Sequence, residues 1–278
     1  MLVEHVYQRV ETETEMIRMA VLTVLRGLLS FLTILPVGKC VGRSCAQCDD
    51  CFAQASKHMY LFPLIGAFIG LLAGLFGWAL LRILPSLIMG MLTLGLLVFI
   101  TGVHHTDGLL DFGDGIASLG TPEQKIQVMH DNQTGAAGLA LGLVTLGTTA
   151  LCTAELGKEI IIQALISSEV SAKLAMVVCA RVGRSAHPGL GKRFVEAMHG
   201  PSGNLRLLLA LTISLGITTL LFWIVGTMVV IAGIATALTV VWIAHMNIGG
   251  ITGDIIGATN DLARVASLVT VLGAVRWV

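Results

Sequence analysis

The chain has 278 residues, of which 55% are hydrophobic and only 12% charged, and its mean hydropathy is +0.87. Soluble domains carry roughly 25% charged residues, so this composition excludes a water-soluble fold and indicates an integral membrane protein. The 17 basic and 17 acidic residues balance. No basic stripe of the kind that neutralises duplex phosphates is present, which excludes nucleic acid as a partner.

The apolar segments predict an all-α, polytopic membrane bundle of about six to eight helices. Residues 1–16 are polar and acidic without a signal-peptide pattern, so we expect a tail there and one membrane-embedded domain over 17–278. A spanning helix needs about 20 apolar residues. The candidates are 17–36, 60–84, 86–103, 135–153, 160–182, 207–225, 227–246 and 262–278. Arg18 and Arg26 favour an interfacial helix for the first, and the last is short for a span.

Four polar loops separate these segments, and they are predicted to share one side of the membrane. Two spans lie between each consecutive pair of loops, which are 37–59, 104–134, 183–206 and 247–261. Most Lys and Arg residues outside the spans fall in these loops, and the positive-inside rule assigns that side to the cytoplasm. We therefore expect a multi-pass protein of the cell (inner) membrane with its active site at the cytoplasmic face.

The first of these loops contains four closely spaced cysteines. They have the spacing C-x4-C-x2-C-x2-C and are Cys40, Cys45, Cys48 and Cys51. Disulfides are rare in the cytoplasm, whereas four thiolates at this spacing are typical ligands of Zn²⁺ or an iron–sulfur cluster. The sequence therefore predicts a second metal site here, with a metal-free Cys-rich loop as the alternative.

The second loop begins with HHTDGLLDFGDG, residues 104–115. Asp107, Asp111 and Asp114 recur at i, i+4 and i+7, which places them on one face of a helix. Three carboxylates there repel each other unless a cation offsets the charge, and Mg²⁺ prefers carboxylate oxygens together with water and substrate phosphates. The motif thus favours a magnesium site over the alternative of a solvated helix end.

A second acidic patch follows near the end of the chain. Asp254 and Asp261 are again seven residues apart, and the predicted topology puts them on the same side as the first patch. Two acidic helix ends could hold Mg²⁺ across a diphosphate, as phosphoryl-transfer enzymes do. Arg184, Lys192 and Arg193 are candidate ligands for substrate phosphates, with the positive-inside bias as their alternative explanation.

Several of these segments together resemble one enzyme family. TGVHHTDGLLDFGDG is similar to the signature T-G-G-[LF]-H-x-D-G-L-A-D-x-x-D-G of the cobalamin synthases, the adenosylcobinamide-GDP ribazoletransferases. The further blocks SFLTILPV, YLFPLIGAFIG, IQVMHDNQTGAAG, HPGLG and GGITGDIIGATNDL occur in the family's order, from about residue 30 to residue 262. Departures include Ile34 for Arg, Val103 for Gly, and His130 and Gln133 where basic residues are frequent.

The resemblance implies a reaction and roles for individual residues. Members transfer the adenosylcobinamide phosphate moiety from adenosylcobinamide-GDP to α-ribazole or its phosphate, release GMP and use Mg²⁺. By this resemblance Asp107, Asp111, Asp114, Asp254 and Asp261 hold the metal, the last standing where the family has Glu. Asp107 and His105 are the candidate catalytic residues, His105 as general base or as hydrogen-bonded support for a carboxylate.

The same resemblance adds Asp131 and Asn132, in the block IQVMHDNQTGAAG, as substrate contacts. The expected partners are these small-molecule substrates and membrane lipid, with self-association left open. A CDP-alcohol phosphotransferase is one alternative, although its signature D-x2-D-G-x2-A-R followed by G-x3-D-x3-D is incomplete in this chain. A cation-coupled transporter is another, but its carboxylates should lie in mid-span rather than at span ends.

Overall fold

The computed structural model of the protein describes residues 15, 18, 19, 21–35, 49–131 and 133–275. These residues divide into two compact units, one ending at His58 and the other beginning at Met59. The first unit contains the short apolar helix α1 (Val21–Leu32) and helix α2 (Asp49–Lys57). Cys40, Cys45 and Cys48 lie outside the described residues, as does the side chain of Cys51, so the cysteine metal site stays a prediction.

The second unit consists of helices, and no β-strand occurs among the described residues. In chain order the helices are α3 (Phe62–Leu80, preceded by a 3-10 turn over Met59–Leu61), α4 (Ser86–Ile100), α5 (His104–Ala117), α6 (Pro122–Met129), α7 (Ala136–Ala154), α8 (Ile161–Val182), α9 (Leu190–His199), α10 (Gly203–Phe222), α11 (Ile224–Ile248) and α12 (Gly253–Val275). Six of them are long and apolar enough to cross a membrane, namely α3, α7, α8, α10, α11 and α12. The prediction of an all-α polytopic bundle is confirmed.

Two predicted spans have different limits in the structure. The predicted span 86–103 ends as α4 at Ile100, and a 95° bend leads into α5. The predicted span 262–278 is instead a helix of 23 residues that begins at Gly253. The charged residues near the start of α12 looked like a loop in the sequence, but α5 and α8 pack against this helix, where Asp254 is half-buried and Asp261 is buried.

The bend between α4 and α5 depends on two residues with left-handed backbone. Gly102 has a φ of 70° and Val103 a φ of 67°. Glycine adopts this conformation freely, whereas a β-branched residue is strained in it. Val103 therefore stores strain at the turn that redirects the chain into the aspartate-bearing helix.

Short connections between helices lie at one end of the bundle, and long connections lie at the other. Residues 81–85, residues 155–160 and Trp223 make tight connections at one end. The bent helix α5, the short helices α6 and α9, and the segments 183–189 and 249–252 lie at the other end. The predicted gathering at one end is thus observed for the polar segments 104–134, 183–206 and 247–261, and it stays a prediction for the loop 37–59. Helix α8 packs against α3, α10, α11 and α12 and is the most buried span.

Candidate active site

A cavity of about 530 Å³ opens at the end of the bundle that carries the long connections. Residues from α5, α6, the start of α9 and the start of α12 surround it. Its lining residues are Asp107, Asp111, Met129, His130, Asp131, Thr134, His187, Gly189, Gly191, Thr252, Gly253 and Asp254. The cavity therefore brings together the two acidic patches and two further sequence blocks that were separate in the chain.

Close packing of α5 against α12 brings the two acidic patches together. A Cβ atom on Gly108 would lie 2.5 Å from the backbone oxygen of Asp254, so only glycine lets the two helices approach this closely. Asp107 and Asp111 flank Gly108 on α5 and line the same cavity as Asp254. The predicted meeting of the two patches is realised by these three carboxylates.

Another part of the cavity wall is built by backbone pairing between two connecting segments. The amide of Ile251 donates to the carbonyl of Arg184 at 2.7 Å, and the amide of Ala186 donates to the carbonyl of Ile251 at 3.0 Å. A Cβ atom on Gly191 would lie 2.5 Å from the backbone nitrogen of Gly253, so α9 and α12 begin side by side. This arrangement explains why the HPGLG and GGITGD segments both contribute to one site.

Two histidines line the cavity, and the sequence had assigned a role to neither. His130 directly follows α6, and His187 lies in the segment between α8 and α9. Their ring centroids are 5.3 Å apart with an interplanar angle of 76°, an edge-to-face contact. The sequence signals were weak, because His130 stood out only as a departure from the family pattern and His187 only as part of HPGLG.

The cavity carries an excess of negative charge. Four carboxylates line it, those of Asp107, Asp111, Asp131 and Asp254, and its lining residues include no Lys or Arg. Asp111 lies on α5, outside the six spanning helices. Burial and the charges of Asp107 and Asp254 raise the pKa of Asp111 to about 7. Such repulsion indicates a site that a cation would stabilise.

The donor chemistry of the cavity fits Mg²⁺ in the mode this ion uses with phosphorylated substrates. Among the described residues, no group of three or more His, Cys, Asp or Glu side chains is placed to enclose a metal ion. Mg²⁺ does not require such a cage, because it is usually held by one or two carboxylates, water and substrate phosphates. Asp107, Asp111 and Asp254 supply oxygens of this kind around one space.

Asp114, the third aspartate of the α5 motif, has a different environment. Its carboxylate accepts hydrogen bonds from the backbone amides of Gly135 at 2.7 Å and Gly138 at 2.8 Å. These amides belong to the start of α7, where backbone N–H groups have no partner within the helix. Asp114 is buried and does not line the cavity, so its observed contacts are those of a helix cap supplied from another helix.

Asp261 is also separated from the cavity and belongs to a buried charge cluster, which consists of Glu169, Lys173, Asp261 and Arg264. Arg264 donates to Asp261 at 2.6 Å and pairs with Glu169, and Lys173 lies 3.4 Å from Glu169. Thr106 of α5 donates to Asp261 at 3.1 Å. The cluster therefore joins α5, α8 and α12 below the cavity, with two acids balanced by two bases.

His105 lies inside the bundle and does not line the cavity. Its side chain is buried, and its Nδ1 atom has no hydrogen-bond partner among the described residues. Its imidazole therefore lies on the side of α5 that faces the buried charge cluster rather than the cavity.

The predicted substrate contacts fall into three groups. Asp131 lines the cavity, and Asn132 lies outside the described residues. Arg184, Lys192 and Arg193 are exposed and do not line the cavity, although the segment and helix that carry them contribute Gly189 and Gly191 to its wall. Lys192 lies 3.7 Å from Glu196 in an exposed ion pair, so its ammonium is directed along its own helix.

Comparison with known proteins identifies relatives over nearly the whole chain. Residues 24–272 match the model of the CobS family, described as cobalamin-5-phosphate synthase. An adenosylcobinamide-GDP ribazoletransferase of Methanocella arvoryzae is 34% identical over 91% of this chain and 96% of the relative. Proteins of the same name from Halorubrum lacusprofundi and Geotalea daltonii are 32% and 30% identical, over 92% and 88% of this chain and 98% and 94% of the relatives.

No solved structure matches the chain. The family match covers α3 to α11 completely and all but the last turn of α12, including every residue that lines the cavity. The family resemblance predicted from the sequence blocks is therefore confirmed over residues 24–272. The chain belongs to the cobalamin-5-phosphate synthase family.

Proposed function

We propose that the protein is an adenosylcobinamide-GDP ribazoletransferase that completes the nucleotide loop of cobalamin. It transfers the adenosylcobinamide phosphate moiety from adenosylcobinamide-GDP to α-ribazole or its phosphate and releases GMP. The family match and the curated relatives support this reaction. The observation that carries the proposal is the cavity itself, where carboxylates from α5 and α12 converge without a basic side chain among the lining residues.

Within this proposal the enzyme depends on Mg²⁺, held by one or two of the carboxylates of Asp107, Asp111 and Asp254 together with water and substrate phosphates. When bound, the ion offsets the charge of the diphosphate and of the departing phosphate. The chain's own residues position it, since Gly108 allows α5 and α12 to approach and the buried charge cluster fixes their relative placement. Asp114 and Asp261 are left out of the ligand set because their oxygens already accept short hydrogen bonds elsewhere.

The exposed basic residues at the same end of the bundle have a supporting role in this proposal. Arg184, Lys192 and Arg193 provide positive charge near an otherwise negative cavity and attract the anionic substrate from solution. Asp131 contacts the substrate from the cavity wall. The concentration of basic residues supports placing this end at the cytoplasmic side of the cell (inner) membrane.

Two other functions are less well supported. A cation-coupled transporter would need unpaired carboxylates along a path through the bundle. Among the described residues, the acids in the middle of α8 and α12 are Glu169 and Asp261, which are both paired with Arg264. A CDP-alcohol phosphotransferase would share the metal chemistry, but this chain lacks part of that signature.

The decisive experiment is an assay of the purified protein in detergent. It would be incubated with adenosylcobinamide-GDP, α-ribazole phosphate and Mg²⁺, and GMP and the corrinoid product would be separated and quantified. We expect equimolar GMP and cobalamin phosphate, and loss of both products with excess EDTA. Failure of the wild-type protein to form them would contradict the proposed reaction, and unchanged turnover in EDTA would contradict the metal requirement.

The cysteine loop calls for a separate experiment. We propose a second metal, Zn²⁺ or an iron–sulfur cluster, bound by Cys40, Cys45, Cys48 and Cys51 on the basis of their spacing. Metal analysis of anaerobically purified wild-type protein should detect bound zinc or iron, and the Cys45→Ser variant should lose it. A cysteine loop free of both metals would contradict this assignment.

A further inference from the structure

We propose that the histidine pair, His130 and His187, supplies the general base of the transfer reaction. This inference rests on the proposed function. It assigns to the pair the role of general base, one of the two roles that the family resemblance suggested for His105. Both rings line the cavity that holds Asp107, Asp111 and Asp254, and they contact each other edge to face. The base is thus placed on elements other than those that carry the metal-binding carboxylates.

The chemistry requires one proton acceptor. A hydroxyl oxygen of α-ribazole forms a new bond to the phosphorus next to the corrinoid arm. The bond from that phosphorus to the bridging oxygen breaks, and GMP leaves with the electron pair. The hydroxyl proton must pass to a group within hydrogen-bond reach, while the departing phosphate, a weak base, needs no proton. The reaction therefore needs a proton acceptor beside the attacking hydroxyl, but no proton donor beside the departing GMP.

Few groups in the cavity can accept that proton. Asp107, Asp111 and Asp254 are committed to the cation in the proposed site, and the remaining carboxylate of the lining, Asp131, belongs to a side-chain class that is a weaker base than imidazole. Imidazole is the side chain best suited to take a proton near neutral pH. Of the lining residues, only His130 and His187 carry one.

The remaining histidines of the described residues are placed elsewhere. His58, His104 and His199 do not line the cavity, and His105 is buried against the charge cluster. His245 is engaged by the carbonyl of Val241 at 2.7 Å and by the amide of Arg184 at 3.1 Å. The structure therefore moves the candidate base from the α5 motif to His130 and His187, which belong to the two sequence blocks that follow it.

The contact between the two rings explains why a pair is used. An edge-to-face contact restricts the orientation of both imidazoles. One ring can then accept the proton while the other keeps the accepting ring in position. His130 is further anchored by its backbone amide, which bonds to the carbonyl of Ile126 at 3.1 Å. Loss of either ring should therefore impair proton transfer, and loss of both should impair it most.

Steady-state kinetics of His130→Gln, His187→Gln and the double variant test this role. General acid–base catalysis contributes typically about 10²–10⁴-fold, so we expect kcat of the double variant to fall by about that factor with KM changed little. His199→Gln, which removes an exposed histidine outside the cavity, is the matched control and should keep wild-type kcat. Thermal unfolding midpoints of the four variants should equal that of the wild type.

A further readout separates a base from a structural ring. Added imidazole should restore part of the activity of His130→Gly or His187→Gly, whichever lacks the base.

The outcomes distinguish this inference from the proposed function. A wild-type protein without turnover would remove the reaction and this role together. An active wild type with undiminished kcat in the double variant would overturn the histidine assignment alone. A rise in KM at constant kcat would also overturn it, because the rings would then only bind substrate.

Discussion

Two aspartates on the same helix have opposite surroundings in this protein. Asp254 and Asp261 lie on α12 seven residues apart, about 10 Å along the axis and on the same face. Asp254 is half-buried and lines a cavity without a basic residue among its lining side chains. Asp261 is buried and bonded to Arg264 at 2.6 Å.

The difference shows how a membrane bundle divides its few charges between structure and function. A carboxylate surrounded by protein is costly unless a cation and hydrogen bonds compensate it. Asp261 and Glu169 satisfy that condition through Arg264 and Lys173. The cavity carboxylates have no basic residue beside them in the lining and face the open cavity. Carboxylates without a basic partner therefore belong to the candidate active site, and carboxylates paired with basic residues belong to the structural core of the bundle.

The largest expected effect comes from removing a basic residue from the buried charge cluster. Arg264→Met would leave Glu169 and Asp261 buried with only Lys173 as a counter-charge. Removing one partner of a buried ion pair typically costs about 3–5 kcal/mol, so the thermal unfolding midpoint in detergent should fall sharply. Lys192→Met, which removes an exposed ion pair with Glu196 at 3.7 Å, should change stability by less than about 0.5 kcal/mol. Equal stability of the two variants would contradict a structural role for the cluster.

The next largest effect concerns the carboxylates that line the cavity. Asp254→Asn should keep the unfolding midpoint near that of the wild type, because the side chain forms no ion pair with any described residue and neutralisation relieves repulsion with Asp111. Activity should fall by more than about 100-fold, since even residues that only support metal ligands cost about 10–100-fold. Steady-state turnover and thermal unfolding would be measured on the same preparations, with Glu196→Gln on α9 as an exposed acidic control.

Asp261→Asn provides the converse measurement. It removes a charge that Arg264 compensates, so its main effect should be on stability, and any surviving folded protein should retain Mg²⁺-dependent turnover. The comparison between the two aspartates fails if Asp254→Asn unfolds the protein while Asp261→Asn abolishes turnover in a fully stable one.

Asp114 offers an intermediate case, a carboxylate that is satisfied by backbone amides rather than by a cation. Asp114→Ala would remove the acceptor for the amides of Gly135 and Gly138. Loss of a helix cap costs roughly 0.5–2 kcal/mol, so we expect a modest fall in the unfolding midpoint. Asp114→Asn, which keeps one acceptor oxygen, should lose less stability. Loss of all turnover in a stable Asp114→Asn protein would instead favour metal binding.

The smallest effect is on pH dependence, because Asp111 is only half-buried and solvent screens its interactions. The pKa of Asp111 is raised to about 7 by burial and by Asp107 and Asp254. A raised carboxyl pKa stabilises the metal-free fold below about pH 4 and loses that contribution as the pH rises through about 7. Metal-free wild type should therefore lose stability over this window relative to Asp111→Asn, and Mg²⁺ should offset the loss at pH 7. Parallel pH profiles for the two proteins would contradict this.

Much of the fold could be predicted from hydropathy alone. The spans 135–153 and 160–182 agree with α7 and α8 to within one residue, because apolar runs of this length have no other stable place than a membrane. The start of α12 was missed because a hydropathy criterion treats Asp254 and Asp261 as loop residues. Whether a charge is buried depends on a partner such as Arg264, and the pairing is not visible as a hydropathy signal.

The candidate site was predicted in part. The spacing of Asp107 and Asp111 and the topology brought them to the same end as Asp254, as the structure has them. A helical spacing alone could not distinguish Asp114 from its neighbours, since its partners are amides of another helix. His130 and His187 are 57 residues apart in the chain and have no shared pattern there.

The sequence by itself therefore determined the membrane class, the number and approximate limits of most spans, the end of the bundle that carries the polar residues, and the family. These properties depend on composition, on the period of a helix and on motifs that can be read locally. Only the tertiary structure decided which aspartates face the cavity, which are neutralised, and which histidines stand beside them. That choice depends on contacts between distant helices, where a single glycine or arginine sets whether a carboxylate is available or already paired.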